Sequence, residues 1–424
     1  MRRLVLTFLG TGDYSKTNYY VWDTGHTYYT PFPVVAYLKL MDWKNDELEL
    51  RVFVTKKAKE KNLNYLQCEL RKLETFGIKV KDKVVEINEG KSLEEIWKNF
   101  EKLVHAVRDG FAGDYGTIVL DITYSLRSIP LLSMVAVLYA KALEGKTKKD
   151  FRIIYGAYEA GDKKSNITPI FDLSHYYELM ELSLAVDEFV NYGTAERFGE
   201  LAKTLDESSE KQLAKKLKQL LEYVYVLRCP SIESFSLKDI DWDAFNDEKG
   251  RKLFTSELLK RIRDEVKDFI EESSVVSRWK KALWAVRWCA EHGLYPQGYT
   301  ILRELLLNYA CSILVPNEPY EENFGVRKRV EGILSVANKQ KSRREAKNLL
   351  MKEMKSLEEK DAEKIIKVYS LLYRGKNSVS KFRNDIDHCA FGEQKQYRKS
   401  PEELKKSLSN LLSKAEKIIL EGES

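Results

Sequence analysis

The apolar positions along the chain change their period near residue 175. Before that point, short apolar runs of strand length alternate with stretches of helical spacing. Residues 4–9 (LVLTFL), 48–55 (LELRVFVT), 117–123 (TIVLDIT) and 151–158 (FRIIYGAY) are dense in aliphatic and β-branched residues and predict buried strands, with another near 78–87. Helices are predicted over 59–76, from the capping box Ser92-Leu93-Glu94-Glu95 to about 109, and over 128–144 (SIPLLSMVAVLYAKALE). Strands alternating with helices predict a parallel, doubly wound α/β sheet.

From about 176 the strand signals fade and apolar residues recur every three or four positions. Helices are expected over 178–192, 209–227, 256–272, 277–292, 296–314, 352–373 and 401–420. Ser400-Pro401-Glu402-Glu403 joins an N-cap, a proline at the first helical position and a capping-box Glu. Residues 229–250 (CPSIESFSLKDIDWDAFNDEKG) are expected to form a surface excursion. The expected organisation is an α/β domain over 1–175, a helical intermediate region over 176–276 and an all-α domain over 277–424.

Composition narrows this picture only a little. The chain has 424 residues, 43% apolar and 32% charged, which excludes a disordered, collagen-like or disulfide-scaffold protein. Its 71 Lys+Arg against 65 Asp+Glu leave a net charge of +6, too mild by itself to mark a nucleic-acid binder. The longest apolar run, 129–140, is shorter than a membrane span. Five scattered cysteines (Cys68, Cys229, Cys289, Cys311, Cys389), never in a C-x-x-C pair, argue against a zinc site and fit a reducing cytoplasm.

Three places could carry chemistry. Gly10-Thr11-Gly12 follows the first strand, and glycines there let a backbone approach a phosphate. A tight turn is the plain alternative, and Ser15 at the sixth position breaks the dinucleotide fingerprint. The second place, 121–130 (DITYSLRSIP), runs from a central strand into a helix. A polar loop with an Arg at a helix N-terminus suits an anion, and a capped β–α connection explains it about as well.

The third is 383–388 (RNDIDH), an R-x4-H motif. Asn384 and His388 lie four apart on one helix face, with Arg383 at its edge. A His to move protons and an Arg to steady a charged phosphorane form a kit for RNA cleavage by the substrate's own 2′-hydroxyl. Taken alone, the motif is more simply an Arg383–Asp387 surface pair. The basic residues of 327–355 (Arg327, Lys328, Arg329, Lys339, Lys341, Arg343, Arg344, Lys347, Lys352 and Lys355) could track a phosphate backbone, though a solvated helix face is commoner. Trp279, Trp284 and Trp288 are expected in the core. His26, His105, His175 and His292 have no partner motif and are expected to be structural or on the surface.

Together these segments resemble a known architecture. FLGTGDY at 8–14, the 28–32 stretch YYTPF and DITYSLRSIP resemble the CRISPR-associated Rossmann fold (CARF) domain, in the branch marked by Asp-x-Thr-His-Gly. RNDIDH, preceded by 299–311 (YTILRELLLNYAC), resembles the HEPN ribonuclease domain. CARF followed by HEPN is the order found in CRISPR type III accessory ribonucleases. The resemblance implies an α/β Rossmann-like sensor and an all-α effector. It implies a homodimer that binds a cyclic oligoadenylate, with four adenylates expected from the branch, and then cleaves single-stranded RNA at a composite site without a metal or other cofactor.

Carried over, Arg383, Asn384 and His388 match the HEPN motif. Thr123 and Arg127 match the CARF loop, and Thr11 and Gly12 the first-strand turn; Tyr14, Tyr124 and Ser125 complete the expected ligand set. Tyr124 and Ser125 stand where the branch carries His and Gly. That change alters the expected ligand geometry, and Tyr124 offers a ring for stacking on an adenine. The rival functions are a CARF sensor or activator-degrading enzyme with an inert helical dimerisation domain, and a CARF-type regulator.

Overall fold

The computed structural model describes residues 1–21, 24–126, 128–145, 149–205, 209–245, 256–270, 275–354, 357–389, 391 and 399–420. The chain divides into two compact units, Met1–Glu181 and Leu182–Ser424.

The first unit is built on one eight-stranded sheet. Its strands are β1 (Arg2–Leu9), β2 (Thr17–Val21), β3 (Thr27–Thr30), β4 (Glu47–Val54), β5 (Val80–Glu86), β6 (Thr117–Asp121), β7 (Asp150–Gly156) and β8 (Ile167–Asp172). The spatial order is β3-β2-β8-β7-β6-β1-β4-β5. From β7 to β5 the pairing is parallel, as expected. The whole sheet is mixed rather than parallel, because β8 runs antiparallel to β7 and β3 antiparallel to β2. The sequence pattern passed over β2, β3 and β8. β2 (TNYYV) and β3 (TYYT) are short and lack an aliphatic run, and β8 is broken by Pro169.

The helices here are α1 (Pro33–Leu40), α2 (Lys56–Ala58), α3 (Asn64–Leu73), α4 (Leu93–Ala112), α5 (Ile129–Glu144) and α6 (Ser174–Tyr192), and the unit boundary falls inside α6. Alternation along β1 sorts them onto two faces. Val5 and Leu9 pack with α1 and α3, whereas Leu4, Leu6 and Phe8 pack with α4 and α5. Two-sided burial explains why this strand reads as a continuous apolar run. After β1 the chain first forms β2 and β3 at the far edge and returns through α1; among the parallel strands, β4 and β5 then lie on one side of β1 and β6 and β7 on the other. The carboxyl ends of β1 and β6 therefore flank a topological switch point.

The second unit is helical throughout its described residues: α7 (Glu196–Thr204), α8 (Ser209–Tyr225), α9 (Cys229–Ser234), α10 (Ser256–Glu265), α11 (Val275–Glu291), α12 (Tyr295–Leu314), α13 (Phe324–Asn338), α14 (Arg343–Glu353), α15 (Glu359–Tyr373), α16 (Val379–Asp387) and α17 (Pro401–Leu420). One buried cluster runs from Leu182 to Ile419 and includes Trp279, Trp284 and Trp288, so the expected tryptophan core is present. The helix expected over 352–373 is two, α14 and α15.

The excursion expected over 229–250 is also different where it is described. Ile232, Phe235, Leu237, Ile240, Trp242 and Phe245 are all buried in the helical core. Their irregular spacing hid them from a periodicity search, because no regular element aligns them. The second capping box forms as drawn: Ser400 Oγ accepts from the Glu403 amide at 3.2 Å and Glu403 from the Ser400 amide at 2.8 Å. At the first, Glu95 N–H donates to Ser92 Oγ, but the Glu95 carboxylate accepts from the Lys91 amide instead.

Candidate functional site

At the end of β1 the chain turns sharply back on itself. The Gly10 amide donates to the Tyr14 hydroxyl at 2.7 Å, and a Cβ on Gly10 would stand only 3.1 Å from that oxygen. A side chain at this position would have to displace the Tyr14 hydroxyl by a few tenths of an ångström. The loop carbonyls are held from behind. Asn62 Nδ2 donates to the carbonyls of Gly10 (2.9 Å) and Gly12 (3.0 Å), and Lys61 Nζ to that of Thr11 (2.8 Å). Both side chains come from a π-helical turn, Lys59–Leu63, an irregularity often found at functional sites. Sequence reasoning missed Asn62 and Lys61, which carry no local motif and act across fifty residues. Thr11 and Gly12 remain exposed at the loop tip.

Across the switch point, Asp121 ends β6 and is fully buried. Its Oδ2 accepts from the Thr7 hydroxyl (2.7 Å), and its Oδ1 accepts from both the hydroxyl (2.5 Å) and the amide (3.0 Å) of Thr123. Burial pushes the Asp121 carboxyl above its ordinary range, against the bonds from Thr123 and Thr7. Thr123 Oγ1 in turn accepts from the Gly156 amide at 2.8 Å, tying β6 to β7. Gly156 has no room for a side chain, since a Cβ would meet the Pro33 ring at 2.3 Å. Ser125 Oγ donates to the Ile122 carbonyl at 2.8 Å. The hydroxyl protons of Thr123 and Ser125 are thus turned into the loop rather than out of it.

The two loops meet through their tyrosines. Tyr14 and Tyr124 stack with centroids 4.1 Å apart and planes 24° apart, and Tyr124 O–H donates to the Pro31 carbonyl at 2.8 Å. Phe32 packs edge-on against Tyr14 at 5.4 Å. Burial pushes the Tyr14 phenol up to about 12 and the Tyr124 phenol higher still, so both are neutral at physiological pH. One face of Tyr124 is already covered by Tyr14. The structure therefore brings Thr11, Gly12, Tyr14, Thr123, Tyr124 and Ser125 into one cluster; Arg127 lies outside the described residues.

In the helical unit, α16 is fixed by Val379 and Phe382, both buried. Phe382 stacks on Tyr299 of α12 at 5.2 Å, and Tyr299 O–H donates to the Leu404 carbonyl at 2.8 Å. Arg383 and Asp387 form the expected i,i+4 ion pair, 3.0 Å apart. His388 is the C-cap, its amide donating to the Asn384 carbonyl at 3.0 Å, and Cys389 follows in the left-handed region at φ 50°. Asn384 and His388 therefore share one helix face and both are exposed. Among the described residues, four buried side-chain polar atoms in this short stretch have no hydrogen-bond partner: Ser378 Oγ, Ser380 Oγ, Arg383 Nε and Asp385 Oδ1.

Three cations of the basic stretch 327–355 are paired with acids. Arg327 bonds Asn308 and Glu304, Arg329 pairs with Glu318, and Lys347 with Glu359 and Glu363; Lys355 lies outside the described residues. His292 is structural, both ring nitrogens facing carbonyls, of Trp288 (2.8 Å) and Val190 (3.0 Å). No group of three or more His, Cys, Asp or Glu that could hold a metal ion occurs among the described residues, and no described helix is long and apolar enough to cross a membrane.

No protein-family model matches the chain. A solved Csm6 of Enterococcus italicus, bound to cyclic hexa-2′-fluoro-hexa-dAMP, superposes with a TM-score of 0.47 at 10% identity, over 99% of this chain and 94% of that one. Likeness at that level carries no weight for function. In sequence, a CRISPR-associated protein of Methanocaldococcus jannaschii is 26% identical over 230 residues, which is 54% of this chain and 34% of the relative. The chain spans about a third of that protein's length, and over about half of its own length it is a relative of a CRISPR-associated protein.

Proposed function

We propose that the chain is a CRISPR accessory endoribonuclease of the CARF–HEPN kind. A cyclic oligoadenylate, of four adenylates, binds at the switch-point cluster of a homodimer. That binding activates a composite site on α16, which cleaves single-stranded RNA without a metal. The observation that carries this reading is the grouping of Arg383, Asn384 and His388 at the end of α16, with Asn384 and His388 exposed on one face. The RNA 2′-hydroxyl attacks the adjacent phosphorus and the 5′-oxygen leaves. One His388 takes the hydroxyl proton, its two-fold mate returns one to the leaving oxygen, and Arg383 neutralises the phosphorane.

Within one chain Arg383 is held by Asp387, so activation must free it. The same ion pair is what favours the second reading, an inert helical domain that serves dimerisation. The two are separated by cleavage of a fluorescent single-stranded RNA in EDTA, with cyclic tetra-adenylate added or omitted. Cleavage only with activator is expected. No cleavage in either arm selects the inert domain.

The surface that would pair two α/β units is the outer face of α5. Leu131, Val135, Tyr139 and Leu143 are 72%, 47%, 52% and 51% exposed. They fall on one face at i, i+4, i+8 and i+12. The two charges of α5 turn away from it, Lys141 to Glu181 and Glu144 to Arg108. An uncharged apolar stripe is self-complementary about a two-fold axis. Because α5 begins where the 122–128 loop ends, this axis would bring two ligand loops together. Leu131→Glu with Val135→Glu is expected to give a monomer in analytical ultracentrifugation and at least tenfold weaker activator binding. A dimer unchanged by both substitutions would place the interface elsewhere.

A further inference from the structure

A cleft of about 520 Å³ opens on the helical unit between α8 and the segment that follows α9. Its walls are Lys216, Gln219 and Tyr223 of α8, and Ser231, Ser234, Phe235, Ser236, Lys238 and Asp239 beyond. Neither candidate site described above uses any of these residues. The cleft is shallow and open along one side.

Its polar groups are biased toward donation. Lys216 Nζ donates to the Ser236 carbonyl at 2.9 Å and pairs with Asp239, the one acid in the wall. Lys238 has no acidic partner among the described residues. Ser236 Oγ accepts from the Lys238 amide at 3.2 Å, which leaves its own proton to donate outward. Gln219 Nε2 donates to the Tyr223 hydroxyl at 2.7 Å, which likewise leaves the phenol proton free. Beneath the wall lies a third ammonium. Lys281 of α11 is 2% exposed, and Nζ donates to the Phe235 carbonyl at 2.7 Å. It too has no carboxylate partner among the described residues.

Three ammonium groups around one segment, against one paired carboxylate, leave a local positive excess. A buried cation without a counter-ion is costly, and a bound anion relieves the cost. Tyr223 and Phe235, edge-to-face at 6.0 Å, add an aromatic wall beside the donors. Ammonium groups beside rings, with Lys216 Nζ 6.0 Å from the centroid of the Phe235 ring, offer the two chemistries of a phosphate joined to a planar base.

We propose that this cleft binds a nucleoside monophosphate, the phosphate toward Lys238 and Ser236 and the base against Tyr223 and Phe235. The test is isothermal titration calorimetry of the full chain with GMP and UMP, and with guanosine and inorganic phosphate alone. Lys238→Glu and Tyr223→Ala run alongside, with circular dichroism to verify folding; Lys238 is exposed, so its substitution leaves the core intact. Nucleotide binding is expected to weaken at least tenfold in Lys238→Glu, and guanosine and phosphate are each expected to bind at least tenfold more weakly than GMP. The proposal is overturned by absent nucleotide binding or by affinity unchanged in Lys238→Glu. Phosphate binding as tightly as GMP would overturn the role of the aromatic wall.

Discussion

His388→Ala is expected to lower single-turnover cleavage of single-stranded RNA by about 10²–10⁴-fold, the range for loss of a general acid or base. The melting temperature is expected to stay within a degree or two of the wild type. His388 caps α16 through its backbone amide, which alanine keeps, and its side chain is exposed. Removing it leaves no cavity and no buried donor without a partner. The loss can therefore be assigned to chemistry rather than folding. Arg383→Ala should lose activity comparably, but it also removes the partner of Asp387 and the buried Nε, so His388 gives the cleaner measurement. Equal rates for wild type and His388→Ala, with activator present, would remove α16 from the reaction and leave the sensor-only reading.

The second large effect concerns Asp121, and its sign depends on the replacement and on pH. Asp121→Ala orphans the Thr123 amide and two hydroxyls inside the sheet, and is expected to cost roughly 2–3 kcal/mol of stability. Asp121→Asn should behave differently. The amide oxygen can still accept both bonds from Thr123, and the NH₂ can donate to Thr7 once its hydroxyl turns round.

The Asp121 carboxyl is held above its ordinary value chiefly by burial. The folded chain therefore keeps the Asp121 proton to higher pH than the unfolded chain. The stability this contributes is present below the unfolded value, about 4, and is lost as pH rises through the raised folded value. Asp121→Asn removes this dependence. Its melting temperature is expected to match or exceed the wild type at pH 7–8, with the advantage shrinking toward pH 4. Asp121→Ala should be lower throughout. Asparagine as damaging as alanine at every pH would show that the ionised form, not the neutral one, is what the fold requires.

Much of this molecule is legible in one dimension because the signals are local. The aliphatic runs of β1, β4, β6 and β7 declare strands buried on two faces. The boxes at Ser92 and Ser400 declare helix starts, and the spacing of Arg383, Asn384, Asp387 and His388 fixes which can share a face and which can pair. β2, β3 and β8 were hidden because their pairing is settled by partners far along the chain, not by their own composition. The burial of 229–245 was hidden for the same reason, since Phe235, Leu237 and Trp242 follow no period.

The sequence by itself determined an α/β half followed by an α-helical half, the residues that end β1 and β6, and the Arg–Asn–His set on one short helix. Each of those depends on neighbours a few positions apart, where backbone geometry is set by the residues themselves. Only the tertiary structure decided that Asn62 and Lys61 hold the Gly10–Gly12 loop, that Tyr14 stacks on Tyr124, and that Asp121, Thr123 and Gly156 form one buried chain of hydrogen bonds. It also decided that Lys281 is buried with no carboxylate partner among the described residues. These contacts join residues separated by tens of positions or more. They exist because packing a mixed sheet and a helical core brings polar groups out of water and leaves each one to find a partner in space.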